Sequence, residues 1–142
     1  MRFTVYGEPQ PAGSKRGFYR PGLGVRVVDA NPKAKDWKGQ VAREGALAMD
    51  GNPMLRCPIV AHFTFFRPRP KAHYGTGRNA AILKRSAPAL PAGRPDALKL
   101  ARAVEDALSG VVYSDDALIV REHLIKEWGE PARVEIMIEV LP

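Results

Sequence analysis

Three acids in the second half of the chain, Asp96, Asp115 and Asp116, have the type and spacing that hard-cation chemistry requires. Asp96 follows Pro95 at the head of an apolar-periodic stretch. It stands where a helix N-cap belongs, with a side-chain oxygen expected to accept backbone N–H groups that no earlier turn can satisfy. Asp115 and Asp116 interrupt a β-rich run after Val111 to Tyr113. If the intervening helix packs on a sheet, the two acidic groups can converge, and converging carboxylates bind divalent metal. The plain alternatives are a simple N-cap and a simple turn. Cys57 is the single cysteine, and His62, His73 and His123 are scattered, so neither a disulfide framework nor a cysteine-histidine zinc site can be built. Any metal must be held by oxygen.

The cations lie beside these acids. Residues 67–94 carry Arg67, Arg69, Lys71, Arg78, Lys84, Arg85 and Arg94 with no acid among them, in a proline- and glycine-rich connection. Long connections in compact domains are usually functional or disordered. A mobile cationic flap leading into Asp96 is expected, with Tyr74 available to stack on a base; the alternative is a solvated linker. A second mixture of cations and aromatics, Lys15, Arg16 and Arg20 around Phe18 and Tyr19, falls in a glycine- and proline-punctuated loop after Gly7. It suits a phosphate backbone and exposed bases. The formal charge of +7 over 142 residues agrees with a polyanionic partner, of which nucleic acid is the commonest.

These groups need a scaffold, and the hydrophobic pattern supplies one. Residues 2–7 and Val25 to Val28 read as strands. A helix should open at Asn31-Pro32, bury Ala34, Trp37, Val41 and Ala48, and close at Asp50-Gly51. Cys57 to Phe66 is apolar on both faces and should be a central strand, with His62 a hydrogen-bonded core histidine. A second helix runs from Asp96 to Gly110 with Leu100, Val104, Ala107 and Leu108 inward. Val111 to Tyr113 is a short strand, and Leu118 to Trp128 and Ala132 to Leu141 form a hairpin about Gly129-Glu130-Pro131. The fold class is α/β (α+β): one domain over residues 1–142, with a mixed β-sheet carrying two helices.

The order of elements and the local motifs resemble the RusA family of crossover-junction endodeoxyribonucleases. The resemblance rests on the opening Val5-Tyr6-Gly7-Glu8-Pro9-Gln10-Pro11-Ala12-Gly13-Ser14-Lys15-Arg16, on Pro95-Asp96, on Asp106-Ala107-Leu108 and Gly110-Val111-Val112-Tyr113, and on Asp115-Asp116-Ala117 followed by Ile119-Val120. It implies a homodimer, often phage-encoded, that resolves four-way (Holliday) junctions in DNA recombination and repair with Mg²⁺ or Mn²⁺. By position it makes Asp96 and Asp116 catalytic metal ligands, with Asp115 beside them, and puts Arg102 in the place of a basic helix residue. Many members have a second aspartate two residues after the first, then asparagine; this chain has Leu98 and Lys99. Leu98 is expected to pack in the first helical turn, and Lys99 and Arg102 to assist on phosphate. For Arg102 the plain alternative is an ion pair with Asp106.

Hydrolysis of a phosphodiester needs an activated water and neutralisation of charge on the phosphate, which aspartate-held hard cations supply. An endodeoxyribonuclease acting on branched DNA is therefore expected. The alternatives are a junction-binding protein that has lost cleavage, and an RNA-binding or assembly protein. With no extended apolar core behind a basic flank near the N-terminus and no run of ~18 apolar residues, neither signal peptide nor membrane span is expected. A cytoplasmic protein of a bacterial or phage-infected cell follows.

Overall fold

The computed structural model describes every residue except Ser14 and Ala30, together with the side chains of all but these two and Lys15, Arg16, Phe18, Val28 and Asp29. Eight main elements follow one another among the described residues: β1 (Arg2–Tyr6), β2 (Lys15–Arg20), β3 (Gly24–Asp29), α1 (Ala34–Met49), β4 (Ile59–Arg67), α2 (Ala97–Leu108), β5 (Ile119–Trp128) and β6 (Arg133–Val140). A four-stranded mixed sheet has the order β1-β6-β4-β5, and β2 and β3 form a separate ribbon. Among the described strands of that sheet, only the β4–β5 pairing is parallel. The fold is thus α+β, with two helices on a mixed sheet.

The helices cover one sheet face because only that face is apolar enough to need it. Ile59, Ala61, Phe63 and Phe65 of β4 and Val134, Ile136 and Ile138 of β6 bury their side chains with Trp37 and Val41 of α1 and Leu100, Val104 and Leu108 of α2. Gly45 sets how closely the helices approach: a Cβ there would stand 2.6 Å from Leu108 Cδ2. The opposite face is half open. His62 stacks on His123 with ring centroids 4.6 Å apart and meets Glu139 Oε2 at 2.7 Å, so it is a surface histidine rather than a core one.

Four further expectations are corrected. β5 and β6 do not form a hairpin, because β4 lies between them. The four residues after Trp128 can span ~13 Å extended, enough to step over one strand at ~4.8 Å spacing, and this puts the most apolar strand at the sheet's centre. Gly129 makes the step close against Phe66, whose Cδ1 a Cβ would approach to 2.7 Å. Val111 to Tyr113 is a turn, with Tyr113 bridged to Leu55 and Ser109. The loop after Gly7 contains β2, paired with β3 in antiparallel register. Finally, α1 starts at Ala34: Asn31 Oδ1 accepts from Lys33 N at 3.1 Å, forming a turn before the helix rather than its cap.

Candidate active site

Asp96 is the N-cap residue of α2, yet its side chain makes no capping hydrogen bond. Its carboxylate instead faces Lys99, with Nζ 3.4 Å from Oδ2, and both side chains are exposed. The carboxylate is therefore not spent on the helix end. Four donors tether the chain around it. Lys126 of β5 donates to the carbonyls of Gly93 and Pro95 at 2.9 and 3.1 Å. Arg67 at the end of β4 donates to Arg94 O at 2.9 Å. From the other side Ala12 N donates to Lys99 O at 2.9 Å, and Asn31 Nδ2 donates to Pro11 O at 3.0 Å.

The result is a hollow of about 350 Å³ whose wall includes Asp96, Lys99, Arg67, Arg94, Gln10 and Asn31. Glu8 also lines it and lies 3.9 Å from Arg67. Three cations against two carboxylates, with side-chain amides between them, favour an anionic oxygen ligand such as phosphate.

The second acidic group lies elsewhere. Asp115 accepts from Ala117 N at 2.8 Å and caps the 3-10 turn Asp116–Leu118. Its hydrogen bond to Asp116, then slight desolvation, then the charges of Asp115, Glu105 and Asp106 raise the exposed Asp116 carboxyl from its ordinary value. Asp116 lines a shallow pocket of about 250 Å³ with Glu105 of α2 and Glu122 of β5. Burial first, then the hydrogen bond and charge of Glu122, and then the charge of Asp106, push Glu105 up to about 8, against a smaller opposing pull from Arg102. Glu122 Oε1 is buried without a partner of its own. Two carboxyls can share such a place because one of them keeps a proton.

Asp96 and Asp116 do not converge within one chain. Glu105, beside Asp116, is nine residues along α2 from Asp96, roughly 14 Å of helix. Among the described residues no group of three or more His, Cys, Asp or Glu is placed to hold a metal ion.

A family model described as "Endodeoxyribonuclease RusA" matches residues 7–139. The chain belongs to the RusA endodeoxyribonuclease family. It is also 31% identical over 140 residues to a Bacillus subtilis (strain 168) protein named "Uncharacterized protein YqaN", across 97% of this chain and 94% of that one. RusA-family membership makes the chain a nuclease by descent, in a family generally dependent on divalent metal.

Against the family pattern, Leu98 is 69% exposed and does not extend the apolar stripe of α2, so its expected packing is corrected. Arg102 is exposed, and Asp106, its alternative ion-pair partner, lies instead 3.3 Å from Lys38 of α1. The 67–94 connection is a tethered strap. Arg69 donates to Pro88 O at 2.8 Å and packs over Trp128 at 5.3 Å, while Trp128 Nε1 reaches the same carbonyl at 3.1 Å. Lys71, Arg78, Lys84 and Arg85 are exposed along it. The side chains of Lys15 and Arg16 lie outside the described residues. Sequence reasoning missed Lys126, Glu105 and Glu122. The signal for Glu105 was an acid four residues after Ala101 and three before Leu108, at the edge of the buried stripe.

Proposed function

We propose that this RusA-family protein is an endonuclease for branched DNA that cuts four-way junctions by paired symmetric nicks, working in the cytoplasm of a bacterial or phage-infected cell. The observation that carries this is Asp96: an exposed carboxylate, not consumed by helix capping, set in a hollow with Arg67, Arg94 and Lys99. Those three cations would hold the phosphate, with Arg102 one turn further along α2. Lys71, Arg78, Lys84 and Arg85 would follow the backbone outside the hollow, and Lys15 and Arg16 would extend that path.

Paired nicks call for two sites related by a two-fold axis, hence a homodimer. The dimer also bears on the cofactor, proposed as Mg²⁺ or Mn²⁺. Ligands that lie apart in one protomer can meet across the axis, with Asp96 of one copy facing Asp115 and Asp116 of the other. The strand nearest the second acidic group, β5, is an edge strand and leaves that side of the sheet unpaired.

A second function is favoured by one observation, the Lys99 ammonium beside Asp96. A cation there opposes a divalent ion and suits a protein that binds junctions without cutting them. Incubating the purified protein with a labelled four-way junction, with and without Mg²⁺ or Mn²⁺, separates the two. Symmetric nicks only with metal support the nuclease. Junction binding with no product at any metal concentration leaves the binding protein.

A further inference from the structure

The β2–β3 ribbon stands outside the main sheet, and its described residues from Tyr19 to Val27 are all exposed. Tyr19 is directly opposite Val25 in the register, and Val27 is two residues on, so the three share one face; Arg26 is on the other. Tyr19 is 69% and Val25 70% exposed, and Leu23 at the tip is open as well. A two-stranded ribbon with an uncovered apolar face is marginal in water. Such a face is built for a partner.

Charge selects that partner. The ribbon, residues 15–29, carries Lys15, Arg16, Arg20 and Arg26 against one acid, Asp29 at its base, so a second copy would meet a like net charge, whereas a phosphate backbone would not. Position agrees. The contacts that anchor the two ends of the ribbon, Ala12 to Lys99 and Asn31 to Pro11, are the same ones that wall the Asp96 hollow. Six residues of strand reach roughly 20 Å from that rim. Base edges in a closed duplex present mainly polar groups, so an apolar face finds its match on base faces, which become accessible where stacking is interrupted. A branch point is such a place.

We propose that the β2–β3 ribbon is a wedge for branched DNA: Tyr19, Val25 and Val27 enter the opened centre of the junction and stack against unpaired bases, while Arg26 follows phosphate. This rests on the nuclease reading for the substrate, and it names the element that selects branched over linear DNA. Inserted apolar side chains unstack base steps in this way elsewhere in DNA recognition.

The test uses a four-way junction with 2-aminopurine at the crossover, in EDTA, and the full-length chain. Binding of the parent should raise the fluorescence as the base unstacks. Tyr19→Ala with Val25→Ser should remove most of the rise and weaken junction binding by roughly tenfold, with linear-duplex binding unchanged. Tyr19→Phe should keep the signal. Arg26→Glu should weaken junction and duplex alike yet preserve the rise at saturation. A parent that binds the junction without a rise, or a double variant that matches the parent, overturns the wedge and leaves the nuclease reading standing. So does a double variant that turns monomeric, since the apolar face would then belong to a second copy. A parent that binds no junction overturns both.

Discussion

A carboxylate at a helix N-terminus normally accepts the backbone N–H groups there, and Asp96 does not. Asp96→Asn should therefore leave the folded state within about 0.5 kcal/mol of the parent in a denaturant melt. Cleavage should fall by on the order of a hundredfold or more, the scale on which a lost charge-stabilising group acts, while junction binding holds. Leu98 gives a second prediction. Because its side chain is in solvent, Leu98→Asp adds a carboxylate next to Asp96 at little cost in stability, and the Mg²⁺ concentration for half-maximal cleavage should drop. Glu105 gives a third, in the metal-free protein. In the fold its proton is held up to about pH 8, against 4.5 unfolded, so its contribution to stability is complete below about 4.5 and is lost as pH rises through about 8. Relative to Glu105→Gln, the parent should lose roughly 1–2 kcal/mol between pH 5 and 8.5, well under the full linkage value because the site is half open to water. Urea melts at the two pH values check this. At this scale the sequence disclosed which acids stand at element ends, Asp96 and Asp116 among them. It did not disclose their neighbours, since Lys126 reaches Pro95 and Glu122 reaches Glu105 only through the sheet.

Among the elements, the strap after β4 divides into residues that hold it and residues left over. Arg69 bonds Pro88 and covers Trp128, so Arg69→Ala should loosen the strap, seen as faster amide exchange from Tyr74 to Leu90, with little change in the salt dependence of binding. Lys84→Ala or Arg85→Ala should leave exchange alone and make the salt slope of DNA binding shallower by about one unit each. The helices and the central strand were legible because their apolar periodicity is strong: α2 buries Leu100, Val104, Ala107 and Leu108 as the spacing requires. The hairpin expectation failed for a physical reason. Alternation in β5 and β6 records which face each buries and says nothing about which strand sits beside it, and β4 has the greater need of the middle. The β2 strand was hidden by the glycines and prolines that flank it, and nothing in its pattern asks for a core.

For the molecule as a whole, the separation of Asp96 from Asp116 makes a prediction that a single-protomer site does not. Asp96→Asn and Asp116→Asn proteins, each inactive alone, should recover nicking when mixed and allowed to exchange subunits, because half of the composite sites in a mixed dimer are intact. With both acids serving the same protomer's site, the mixture stays dead. Recovery should be of single nicks rather than paired ones, which a gel of nicked against resolved junction reads directly. The order β1-β6-β4-β5 has a further consequence, in folding time. Two of its pairings, β1–β6 and β6–β4, join strands far apart in the sequence, and the third, β4–β5, is a parallel crossover through α2, so the sheet must close long loops before any strand contact repays the cost, and such topologies fold slowly. The local hairpin β2–β3 lies outside that sheet. The rate-limiting assembly can therefore pass it by, and the chain is left at liberty to change its ribbon over evolutionary time without renegotiating the nucleus on which everything else depends.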